Sequence, residues 1–142
     1  MPRRSPGEIR AQLPRRVNRV QHRRAPVIRG LSASANRQIA HFERVHGFPA
    51  GEVAHAFRRW SSTARRPRRD VTLFYGYDGT DLRSGCYHVR TLLELTLHIL
   101  RTKARRELRA VITPVDDQIL RRTVNNPFEA PDLPWWKRRI EL

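Results

Sequence analysis

The most constraining feature is an apolar stripe, Val89, Leu93, Leu97, Leu100, Ala104, Leu108 and Val111, whose spacings of three and four residues put seven side chains on one face of a helix. Neither Gly nor Pro interrupts it, and Ser84 is suited to cap its start, so the pattern predicts one long helix over 84–112. In its first half Leu92, Leu95 and Ile99 fall outside the stripe, which makes that part apolar nearly all round and places it at the centre of the core. The second half is expected to emerge into solvent. Pro114 is then expected to end or kink the helix, with Val115, Ile119, Leu120 and Val124 forming a shorter one that stops at Asn125-Asn126-Pro127.

Two shorter helices precede this element. Ile39, Phe42 and Val45 recur at helical spacing over 34–46, with Ser34 as N-cap and Gly47 as stop, and Val53, Phe57 and Trp60 line one face of a second helix over 50–60. Residues 61–70 read as a basic loop. Residues 71–77 (VTLFYGY) are rich in β-branched and aromatic types and precede the turn signal Asp78-Gly79, which suggests one strand, paired if at all with 85–89.

The N-terminal segment is of another kind. Residues 1–33 carry nine arginines, among them the pairs Arg3-Arg4, Arg15-Arg16 and Arg23-Arg24, against Glu8 alone, with four prolines and no aromatic residue. Such a stretch buries too little apolar surface to offset an ordering cost of about 1–2 kcal/mol per residue. The expected fold is therefore mainly α: a disordered arm over 1–33, a small helical domain over 34–126 with at most one short strand or hairpin, and a Pro- and Trp-containing tail over 127–142. Arg-rich, acid-poor leaders also serve organellar import, and Arg29-Gly30-Leu31-Ser32 would pass for a cleavage site, but serines are few here.

The formal charge of +16 and pI near 11.7 favour polyanions: nucleic acid, anionic lipid headgroups or an acidic protein partner. The arm pairs are suited to follow a phosphate backbone, and Arg101, Arg105 and Arg109, at i, i+4 and i+8, would form a second basic surface along the long helix, beside a Lys103–Glu107 pair. Non-catalytic nucleic-acid binding through Arg3, Arg4, Arg15, Arg16, Arg23, Arg24, Arg101, Arg105 and Arg109 is the leading expectation. The alternative is an interaction module whose arm docks on an acidic partner and whose apolar helix face completes a shared core. The helix pair at 34–60 resembles a helix-turn-helix only in outline, since its second helix spends Phe57 and Trp60 on packing.

Other chemistry is weakly signalled. Cys86 is the only cysteine, which excludes an internal disulfide, and the spacing of the six histidines matches no zinc pattern, so neither metal nor cofactor is expected. Glu94 and His98 stand one helical turn apart and read as a satisfied pair at the edge of the core. Asp116-Asp117 is expected to begin the helix after Pro114, favourably placed at its positive end. Gly76 to Asp81 has a glycine-rich look but fits no phosphate-loop spacing. No set of nucleophile, base and orienting group can be assembled, so no enzyme is expected. The adjacent Trp135 and Trp136 suit base stacking beside Lys137, Arg138 and Arg139, but they suit better a tail in which one indole plugs the core and the other faces outward.

The best apolar run, Leu92 to Leu100, is far short of a membrane helix and contains Glu94 and His98. Arg105-Arg106-Glu107-Leu108-Arg109-Ala110-Val111, Leu120-Arg121-Arg122-Thr123, Asn126-Pro127 and Leu133-Pro134-Trp135-Trp136 together resemble the C-terminal end of small uncharacterised proteins from actinobacteria. That resemblance implies a GC-rich bacterial source, consistent with only two lysines among 29 basic residues, and a cytoplasmic location. It carries no functional residue with it.

Overall fold

The computed structural model describes residues 25–66 and 86–141. Four helices dominate these residues: α1 (Ala33–Val45), α2 (Glu52–Arg65), α3 (Cys86–Ile99) and α4 (Thr102–Arg122). A short antiparallel hairpin of β1 (Thr123–Asn125) and β2 (Arg139–Glu141) follows, with a 3-10 turn at Trp135–Lys137 between its strands. The mainly helical expectation with a single hairpin therefore holds among the described residues. The strand expected over 71–77 lies outside them, and the observed hairpin is elsewhere. Residues 86–89, considered as a pairing strand, are helical.

The stripe that opened the sequence reading is buried: Val89, Leu93, Leu97, Leu100, Ala104 and Leu108 all belong to the core, with Leu93 and Leu108 wholly inaccessible. Each such side chain contributes about 1.5–3 kcal/mol relative to exposure. The stripe is not one helix, however. At Arg101 the backbone turns extended (ψ 157°), and the expected helix over 84–112 becomes α3 and α4. A straight helix of that length would run about 43 Å, too long for a domain of this size to cover on its apolar side. Breaking it lets both halves face one core.

The break leaves carbonyls at the end of α3 without helical partners. Arg105 folds back to satisfy them, donating from Nη2 to the carbonyls of His98 (3.2 Å) and Leu100 (2.9 Å). The Arg101 N–H donates to Gln38 Oε1 on α1 (3.3 Å). The second half thus does not emerge into solvent, since Ala104, Leu108, Ile112 and Ile119 of α4 are all buried. Pro114 lies inside α4 and does not end it. Pro114 and Ala110 are both exposed, so the carbonyl that the missing N–H leaves free lies on the solvent side of the helix and not in the core.

α1 starts earlier than expected, because its cap is Ser32 rather than Ser34: Ser32 Oγ accepts from the Ala35 N–H (3.1 Å). It stops at Gly47 as expected, where φ is +72°. α2 continues through residues 61–65, read above as loop. Its start is capped from another helix. The buried Glu43 of α1 accepts from the N–H groups of Gly51 and Val53, both at 2.8 Å.

Residues 25–32 were assigned to the arm, yet they pack on the helices. Ile28 is buried, and Asn36 holds the segment by donating to the Ile28 and Leu31 carbonyls and accepting from the Ile28 N–H. Pro26 sits directly on Gly51, where φ is +85° and a Cβ would come within 2.4 Å of the proline ring. The arm expected over 1–33 can therefore extend no further than residue 24, and its first 24 residues lie outside the described ones.

The tail is anchored as the packing reading required. Trp136 is buried, and its Nε1 donates to Thr91 Oγ1 on α3 (3.2 Å). Trp135 is half-buried and does not face wholly outward; its ring lies 6.4 Å from that of Trp60. Beyond it, Arg139 Nε donates to Thr123 Oγ1 (2.9 Å) and its Nη2 to the Thr123 carbonyl, which ties the two strands together at β1's first residue. Trp136→Ala should lower stability by about 3–5 kcal/mol and Trp135→Ala by clearly less, as thermal unfolding followed by circular dichroism will read.

Candidate functional site

The charged groups of the domain include an internal network and a set of exposed cations over the start of α4. The network centres on Arg90, only 5 % exposed, which α3 carries into the core beside the apolar stripe. Its Nη1 meets Glu94 Oε2 at 2.8 Å, one helical turn on. Its Nε and Nη2 form a two-pronged pair with Asp116 of α4, at 3.1 Å to Oδ1 and 3.0 Å to Oδ2. Asp116 Oδ1 also accepts from Trp60 Nε1 of α2 at 2.7 Å. The guanidinium carbon stands 4.5 Å from the Trp136 ring centroid and 6.0 Å from that of Trp135. Three helices and the tail meet in this one network, α2 through the bond from Trp60 to Asp116.

This arrangement corrects the reading of Asp116. It does not begin a helix; it lies well inside α4, where Arg90 and Trp60 hold it, and only Asp117 is exposed. It also refines the Glu94–His98 pair. Glu94 does contact His98, at 3.3 Å, but its stronger partner is Arg90, and His98 stands 73 % exposed. Among the described residues no group of three His, Cys, Asp or Glu side chains is placed to hold a metal ion.

The residues expected to contact nucleic acid fare differently from one another. Arg3, Arg4, Arg15, Arg16, Arg23 and Arg24 lie outside the described residues. Arg101, Arg105 and Arg109 do not form one basic flank. Arg101 precedes α4 as its N-cap, Arg105 is turned back onto the end of α3 with its Nε buried and unpartnered, and Arg109 is exposed. The exposed cations over the start of α4 are instead Arg101, Lys103, Arg106 and Arg109. Arg37 of α1 lines the same cavity as Arg101, a space of about 470 Å³.

Glu107, expected to pair with Lys103, is claimed by Ser32. It accepts from the Ser32 N–H at 2.7 Å and from Oγ at 3.1 Å, which locks α4 to the cap of α1. These two bonds, the backbone one foremost, hold its carboxyl below the ordinary value of 4.5, with Lys103 adding a smaller pull in the same direction. Sequence reasoning missed both carboxylate roles because each partner is remote, Ser32 by 75 residues from Glu107 and Arg90 by 26 from Asp116.

Two outcomes follow. Removing Arg90 leaves Asp116 and Glu94 without their cation, so Arg90→Ala should cost about 3–5 kcal/mol in chemical denaturation, whereas Arg90→Met combined with Asp116→Asn should cost less than the sum of the single changes. Because the Glu107 carboxyl is lowered in the fold, its contribution is fully present above its ordinary value and is lost as pH falls through the lower folded one. Glu107→Gln should therefore be less stable than wild type near neutrality, and the gap should close as pH falls below the ordinary value of 4.5 in pH-dependent thermal melts. Comparison with protein-family models, with curated proteins and with solved structures finds no match for this chain.

Proposed function

We propose that the protein binds nucleic acid without catalysis, through cations concentrated on the outside of the helical domain and along the arginine pairs that precede it. The observation that carries this reading is the group of exposed cations over the start of α4, Arg101, Lys103, Arg106 and Arg109. The fold engages charges of both signs: Glu43, Glu94, Asp116 and Glu107 on one side, Arg90, Arg105, Arg122 and Arg139 on the other. Among the described residues Glu43 is the only buried acid and Arg90 the only buried cation. The chain's formal excess of +16 is therefore not absorbed by these contacts.

Arg101, Lys103, Arg106 and Arg109 present that charge on α4, with Arg37 adjacent on α1. The expected contacts are to phosphate, since Arg101 and Arg109 are too far apart along α4 to read a single base edge. The arm pairs Arg3-Arg4, Arg15-Arg16 and Arg23-Arg24 would extend the same contact along the strand. Binding is therefore expected to depend little on sequence and steeply on salt.

Fluorescence anisotropy with duplex DNA, single-stranded DNA and RNA of equal length tests this. If about five phosphates of duplex are neutralised, log K against log[salt] should have a slope near −4.5. Replacing Arg101, Arg106 and Arg109 together by Gln should reduce that slope by about 2–3, and removing residues 2–24 should reduce it further. Absence of binding at low salt, or a slope unchanged in both variants, overturns the reading.

A further inference from the structure

The cavity of about 470 Å³ beside Arg37 and Arg101 lies between α1 and the bend that joins α3 to α4, and its size falls within the range of about 300–1,000 Å³ usual for sites that take small organic groups. Its lining has three kinds of group. The first is apolar: Phe42 and Leu100 from the core, and Val45 and Ile99, the last residues of α1 and α3, which are 60 % and 51 % exposed. The core position that the sequence predicts for Leu92, Leu95 and Ile99 is thus not met, since Leu92 is half-buried and Leu95 is 49 % exposed. The second kind is cationic or donating. Arg37 and Arg101 are both exposed, and Gln38, whose Oε1 accepts from the Arg101 N–H, keeps its amide N–H groups as donors.

The third kind is a pair of imidazoles whose tautomers the fold sets. Arg44 Nη2 can only donate, so His41 Nδ1 accepts from it at 3.0 Å and the neutral ring carries its proton on Nε2. The Phe42 carbonyl can only accept, so His46 Nδ1 donates to it at 2.9 Å and the Nε2 of that neutral ring is an acceptor. One ring N–H and one ring acceptor therefore stand beside apolar surface and two cations. Among the described residues no carboxylate lines this space.

Such a lining suits an anion whose body is flat, apolar on its faces and able to donate and accept at its edge, which is the chemistry of a nucleotide. Base and phosphate are joined covalently, so a strand whose phosphates rest on Arg37 and Arg101 brings its bases within one nucleotide of the opening. In a duplex those bases are paired and stacked inside, whereas in a single strand they splay out. We propose that this cavity takes the base of an unpaired nucleotide, which makes a single strand the polyanion that the domain holds with more than charge. The proposal rests on the phosphate reading of Arg37 and the start of α4, and adds to it a site for the base.

Fluorescence anisotropy with the full-length protein tests it on three labelled ligands of about 12 nucleotides, a length within the span of single-strand sites. These are a single strand, its duplex, and an abasic strand with the same phosphates and no bases. At one salt concentration the intact strand should bind about tenfold or more tightly than the abasic one. Val45→Ser combined with Ile99→Ser, which changes the floor and no charge, should bring that ratio to within about twofold while the salt dependence and the duplex affinity stay as in wild type. Leu120→Ser, at a partly exposed apolar position toward the other end of α4, should leave the ratio as it is. Thermal melts show whether the double variant folds; where it does not, Val45→Gln alone replaces it and should lower the ratio by about twofold or more.

Equal binding of the intact and abasic strands, with the steep salt dependence present, would leave the phosphate surface standing and overturn the base site. A preference for the intact strand that survives the double variant would put the base elsewhere and overturn it too. Loss of duplex affinity in the same variant would assign the floor to backbone contact, and displacement of the strand by a mononucleotide at comparable concentration would assign the cavity to a free small ligand; either result sinks the proposal. Absence of binding by all three ligands at low salt would remove the phosphate reading itself and the base site with it.

Discussion

A guanidinium placed in a hydrocarbon core is tolerable only if its charge and its hydrogen-bond donors are answered there, and Arg90 organises this domain around that requirement. Asp116 and Glu94 supply the charge, and Trp136 covers the planar face. Each partner comes from a different place in the chain. α4 must be rotated so that Asp116 faces α3, α2 must bring Trp60 to the same carboxylate, and the tail must return across the helices to cover the cation with an indole. Apolar burial would accept several rotations of these helices, whereas the two-pronged contact accepts few. The hairpin of β1 and β2 follows from the same demand, since it closes the loop that delivers Trp136.

Carboxylates elsewhere in the domain are used in the same inward way, as fasteners between segments distant in sequence. Glu43 ties α1 to the start of α2, and Glu107 ties α4 to the start of α1. Arginines are spent on the fold as well, Arg105 on the end of α3 and Arg122 on the Ala64 carbonyl of α2. With both signs engaged inside, the chain's formal excess of +16 is left to set the field a partner meets.

Much of this was legible from residue spacing, and the exceptions share a physical cause. The stripe from Val89 to Leu108 marked the core because side-chain periodicity is a local property of a helix. Its break at Arg101 carried no local sign: Ile99, Leu100, Arg101 and Thr102 are ordinary helix residues, and the turn is imposed by the need to cover both halves and permitted by Arg105, which reaches back to the freed carbonyls. Pro114 misled in the opposite sense, since a helix interrupter on a wet face interrupts little. The Leu92, Leu95 and Ile99 face was read as core because apolar character alone does not say how many neighbours a helix has. The candidate cations were legible as a class, but whether a given arginine projects outward or caps a helix, as Arg109 and Arg105 respectively do, depends on the fold and not on spacing.

The chain has three tryptophans, and all of them stand around Arg90: Trp136 under its guanidinium, Trp135 at right angles to Trp136, and Trp60 bound to the same carboxylate as the cation. Indole emission responds to the electric field and solvent within a few ångströms of the ring. The intrinsic fluorescence of this protein is therefore an optical probe of a single locus, blue-shifted while the tail covers the cation and red-shifted once water enters. With centroids 5.8 Å and 6.4 Å apart, the rings also exchange excitation, so they report as a unit. Events at the far end of α1, or at the bend between α3 and α4, leave that signal dark unless they propagate to Arg90. A spectroscopist comparing emission with helical circular dichroism would in effect be asking whether the domain melts from its ends or from its centre.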